Sequence, residues 1–157
     1  MASLTPAPQE AQTRALYEVF LQSVRFREGM PAARAPDGAR QEPPLETLRK
    51  AAGVEPGAWD LVRQTAGWLH GRLEDNHRQG WALLENARIS PGQRRKELDR
   101  LWAERQKAID AAAESLRIAV GPGRFAEFDQ RVRALVMPGL RLRWMKTPPW
   151  AETERRQ

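Results

Sequence analysis

The sequence predicts an all-α protein built on a long antiparallel helical hairpin, with additional shorter helices and an extended C-terminal tail. Three observations predict it. A proline-containing helix-start signal recurs, as VEPGAW at Val54–Trp59, ISPGQ at Ile89–Gln93 and VGPGRF at Val120–Phe125, with a looser copy, LTPAPQ, at Leu4–Gln9. Between these signals, apolar residues recur at spacings of three and four, the repeat of one helix face. No apolar run approaches the ~20 residues of a membrane-spanning helix.

The first helix is expected from Pro6 or Pro8 to about Phe26. Leu16, Val19, Phe20 and Val24 form its stripe, Tyr17 and Leu21 widen it, and Gly29 suits a left-handed cap. A connector over residues 30–44 holds Pro31, Pro36, Pro43 and Pro44. Proline fixes φ and removes backbone donors, so a flexible crossover is expected there. A short helix spans Leu45–Ala52 and stops at Gly53.

The third helix is expected from Pro56 to about Ala87, with Trp59, Val62, Ala66, Leu69, Leu73, Gly80 and Leu84 inward. Leu61, Trp68, Trp81 and Leu83 broaden that stripe. Gly67, Gly71 and Gly80 each cost about 1 kcal/mol against alanine inside a helix, so a kink or a tight crossing is expected near Gly67–Gly71. At the next start, Ser90 is the cap, Pro91 the first helical residue and Gln93 the capping-box partner. The fourth helix then runs to about Ala119, with Leu98, Leu101, Trp102, Arg105, Ala108, Ile109, Ala112 and Leu116 in a near-heptad. A fifth, from Pro122 to about Val136, turns Phe125, Phe128, Val132, Leu135 and Val136 inward. Most of the six tryptophans are thus expected in the core.

Residues 1–137 therefore read as the helical bundle and 138–157 as a basic, aromatic tail. Leu140-Arg141-Leu142-Arg143-Trp144 alternates apolar with basic, and Pro148-Pro149 precedes Trp150. Arg141, Arg143, Trp144, Lys146 and Trp150 are its candidate partner-binding residues, because aromatic rings and arginine supply much of the energy at interfaces. The tail also packs back on the bundle if Leu140, Leu142 and Trp144 are apolar anchors.

With 26 basic and 20 acidic residues the chain carries +6, and its mean hydropathy is -0.68. The charges are interleaved, as on solvated helix faces, although the excess also suits an anionic partner such as nucleic acid. Cysteine is absent, which excludes a disulfide framework, a thiolate metal site and a cysteine nucleophile. Ser3, Ser23, Ser90 and Ser115 sit in no nucleophile elbow, and no P-loop or GxGxxG occurs, so no enzyme is expected. The two histidines share the third helix. At spacings of four and three, His70, Glu74 and His77 follow one helical face and are candidate ligands for zinc, nickel or cobalt, given a further ligand from another helix or subunit.

ISPGQ, the following Glu104–Arg117 and then VGPGRFAEFDQRV at Val120–Val132 resemble the LTxxQ-motif helical proteins of bacterial envelopes. That group includes Spy-like chaperones and heavy-metal-resistance sensors, and the likeness is closest to uncharacterised secreted relatives. It covers about residues 55–135. It implies an all-α, non-enzymatic envelope protein, often dimeric, that binds a protein partner, with a metal sensor as a further alternative. Residues 1–25 lack the basic start and apolar centre of a signal peptide. The expectation is a periplasmic or secreted protein whose leader preceded Ser3. The alternative is a cytoplasmic chain, acting as a small basic helical RNA- or DNA-binding subunit of a nucleoprotein complex.

Overall fold

The computed structural model describes residues 8–140. Five helices follow in order: α1 (Pro8–Arg27), α2 (Pro44–Ala52), α3 (Pro56–Glu85), α4 (Pro91–Val120) and α5 (Pro122–Leu140). Every one begins at a proline, whose fixed φ suits the first turn and whose missing N–H is not needed there. The Ser90 hydroxyl accepts from the Gln93 N–H at 3.2 Å, as its cap signal predicts. The reciprocal bond from the Gln93 side chain is absent among the described residues.

The stops follow glycine where the backbone turns left-handed. Gly29 has φ +75°, and Gly53 has φ +71° with its N–H donating to the Lys50 carbonyl at 3.1 Å. Gly53 is doubly constrained, since a Cβ there would stand 2.9 Å from Arg131 Cδ. The connector carries a turn of its own. An Asp37 carboxylate accepts from the Ala39 N–H, and Arg34 and Arg40 pair as an isolated bridge around the turn at Gly38.

α3 and α4 form the long hairpin, and the other helices gather at its base. α1 straddles it. Arg14 pairs with Asp110 at 2.8 Å and Glu18 with Arg105, both on α4, while Glu28 pairs with Arg63 on α3. α5 packs against α1 and also touches α4, with Phe20 edge-on to Phe128 at 5.7 Å and Tyr17 stacked on Phe125. The Tyr17 hydroxyl donates to Asp129, which also takes Arg133 at 2.8 Å. Burial, and then the bond to Asp129, push the tyrosine hydroxyl well above its usual range.

The core divides in two. The main cluster joins Leu16, Phe20 and Val24 of α1 to Trp59, Val62, Ala66 and Leu69 of α3, Ile109, Ala112 and Leu116 of α4, and Phe128 and Val132 of α5. The second holds only Leu98 and Leu101, flanked by Leu83 and Leu84. Beyond Leu73 on α3, and before Arg105 on α4, the hairpin is thus a two-helix arm with its own small core. Asn76 is buried in that arm and its side-chain amide donates to the Leu101 carbonyl at 2.7 Å.

Several expectations are corrected, among them the inward placement of Leu135, which is 41% exposed. Trp102 is 37% exposed, because Leu101, at 0%, takes the inward position beside it. Trp68 and Trp81 are exposed too, which leaves Trp59 as the buried tryptophan among the described residues. Gly67 and Gly71 make no close crossing: a Cβ at either would meet nothing within 4 Å, and α3 runs unbroken through both. α5 also continues past Val136, through Pro138, to Leu140. Pro138 has no N–H to donate to the Ala134 carbonyl, so the helix passes through it one hydrogen bond short.

Candidate functional site: the exposed face of the hairpin

The candidate metal residues occupy the predicted face of α3 but are not drawn into one centre. His70 Nε2 lies 3.2 Å from Glu74 Oε1, and its Nδ1 lies 3.4 Å from Gln22 Oε1 of α1. Both ring nitrogens therefore already face oxygen acceptors. His77 turns away to Trp81, whose indole N–H donates to His77 Nε2 at 2.8 Å. That bond occupies the lone pair a metal would need. Among the described residues no group of three or more His, Asp or Glu is placed to hold a metal ion. Spacing identified the shared face correctly; it carried no information about Gln22 and Trp81, the neighbours that claim the nitrogens.

The candidate tail residues Arg141, Arg143, Trp144, Lys146 and Trp150 lie outside the described residues.

Sequence reasoning placed the tryptophans inside, and so missed the most distinctive surface of the hairpin. Leu61 and Trp68 are 48% and 44% exposed and, two turns apart, share one face of α3. The Arg72 guanidinium sits over the Trp68 ring at 5.6 Å from its centroid. On α4, Arg105 covers Trp102 at 5.5 Å while pairing with Glu18. Each ring is thus held at the surface by a cation, a contribution of about 0.5–1 kcal/mol at exposed sites. Trp81 is held edge-on to His77, with ring centroids 6.1 Å apart. A signal for this was available: Trp68, Trp81 and Trp102 each adjoin a better-placed leucine or glycine, and an amphipathic helix has room inward for one of the two.

A shallow polar groove runs between α1 and α3, lined by Arg25, Glu28, Arg63, Gln64 and His70 and floored by Gly67 and Gly71. Its charges largely satisfy one another through the Glu28–Arg63 pair. No nucleophile–base pair is gathered there.

No family model, curated protein or solved structure matches the chain.

Proposed function

We propose that the chain is a non-enzymatic helical binding protein, chaperone-like in mode, that holds another protein through the exposed aromatic side chains of its α3–α4 hairpin. The observation that carries this is the surface placement of Leu61, Trp68, Trp81 and Trp102 on one hairpin while the equivalent ring of Trp59 is enclosed. Large rings kept in water and held by neighbouring side chains are ready-made contacts, because they lose little freedom when a partner covers them. The arginines over two of them add donors for a partner's carbonyls and carboxylates. The helix-start motifs and their resemblance to envelope chaperones support the same reading and suggest a periplasmic or secreted setting.

The test is suppression of aggregation. Light scattering of a reduced, unfolding client should fall in the presence of the protein, and Trp68→Ala with Trp102→Ala should remove most of that protection. Circular dichroism should show the helices retained. A wild-type protein without effect, or a double variant as active as wild type, would refute the proposal.

A further inference from the structure

The excess positive charge is unevenly placed. Residues 78–96, at the closed end of the hairpin, carry Arg78, Arg88, Arg94, Arg95 and Lys96 against the single acid Glu85. Residues 141–157 carry five further basic residues against Glu152 and Glu154, and the rest of the chain holds one more acidic than basic side chain. Within the described residues the positive charge is thus concentrated at the tip of the arm.

Folding explains only one of these cations. Arg94 donates to the Leu83 carbonyl at 3.1 Å and to the Asn86 carbonyl at 2.9 Å, and so caps the end of α3. Arg88 and Lys96 are exposed and pair with no acid among the described residues. Arg95 reaches Asp99 only at 4.0 Å and Arg78 reaches Asp75 only at 3.7 Å, both pairs well exposed. Further along α4, Arg100 is by contrast closely paired, with Glu97 at 2.9 Å and Glu104 at 2.5 Å. The placement also runs against local stability. α4 has no acid in its first turn, and Arg94, Arg95 and Lys96 follow that turn at the positive end of the helix dipole.

We propose that the hairpin tip is a phosphate-binding surface for single-stranded nucleic acid, which shares Trp81 with the aromatic surface proposed for protein. Arg88, Arg95 and Lys96 would contact the backbone phosphates. Trp81, 38% exposed on the same end of α3, offers a ring on which a base can stack. An anionic bilayer fits less well, because the turn Asn86–Ser90 offers only Ile89 as a large apolar side chain to insert.

The experiment titrates the full chain against a fluorescent single-stranded oligonucleotide at several salt concentrations. Three proteins are compared: wild type, a tip variant (Arg88→Gln, Arg95→Gln, Lys96→Gln) and a tail variant (Arg141→Gln, Arg143→Gln, Lys146→Gln). Each phosphate contact contributes about 0.7 to the logarithmic salt slope for single strands, so the tip variant should lose about two units of slope. Between about 50 mM and about 200 mM salt, wild-type affinity should then fall roughly twentyfold further than that of the tip variant. The tail variant should keep most of the wild-type slope. Equal losses in both variants would reduce the effect to net charge and overturn the proposal. So would a loss confined to the tail variant, no salt-sensitive binding by wild type, or binding to phosphatidylserine vesicles without binding to the oligonucleotide. Melting curves of both variants confirm that the helices are intact.

Discussion

Single residues in this protein are governed as much by their immediate neighbours as by their helical phase. Trp102 and Leu101 compete for one inward position, and the branched aliphatic chain fits the narrow space between two helices where an indole does not. Arg105 sits at a core-ward phase, where Glu18 and the Trp102 ring receive its guanidinium. Glu28 is the clearest titrating case. The Arg63 guanidinium hydrogen-bonded to it holds its carboxyl below the usual carboxylate range. A depressed folded pKa means stability that is present above the unfolded value, near pH 4.5, and lost as pH falls through the folded one. Glu28→Gln should therefore destabilise the protein at neutral pH by no more than about 1 kcal/mol, since the pair is partly exposed. The difference from wild type should shrink towards zero in strong acid, as urea titrations across that range will show. A difference independent of pH would assign Glu28 a packing role instead.

Among the elements, the arm of the hairpin is the least determined by apolar burial. Four leucines hold it, and side chains of one shape discriminate weakly between neighbouring pairings. The Asn76 amide bonded to the Leu101 carbonyl is a polar contact that a slipped pairing would break, leaving a buried donor unsatisfied at a cost of about 1–3 kcal/mol. Buried asparagine sets register in coiled coils at the expense of stability. Asn76→Leu should accordingly hold or raise the melting temperature, while arm resonances in an amide NMR spectrum double or broaden as a second register becomes populated. One sharp set of resonances would show that Leu98 and Leu101 suffice to fix the pairing.

At the scale of the whole molecule, the base and the arm differ in how much structure depends on them. The base encloses residues from all five helices in one cluster, whereas the arm encloses Leu98 and Leu101 with help from Leu83 and Leu84. Local opening is cheapest where few apolar contacts are broken. Native-state hydrogen exchange should therefore show the amides of residues 76–85 and 94–102 exchanging well ahead of those of 59–69 and 109–116. Uniform protection along α3 and α4 would mean that the hairpin opens only with global unfolding. An arm with so small a core, with aromatic rings along it and exposed cations at its end, is suited to adjust to the partners proposed for it.

The sequence by itself determined the helices: where each begins, from proline and Ser90, and where α1 and α2 end, from Gly29 and Gly53. These are local matters of φ, missing donors and backbone capping, settled within a few residues of chain. It also determined most inward positions, because a period of 3.6 assigns a face whatever the partner helix is. The continuation of α5 through Pro138 was less legible, since one missing hydrogen bond does not by itself stop a helix. Only the tertiary structure decided which of two neighbouring large side chains is enclosed, that α1 straddles the hairpin, that Gln22 and Trp81 occupy the histidine nitrogens, and that Gly67 and Gly71 open onto a groove. Each of these depends on the distance and crossing of helices far apart in sequence. Periodicity names the face that turns inward but not the space available there.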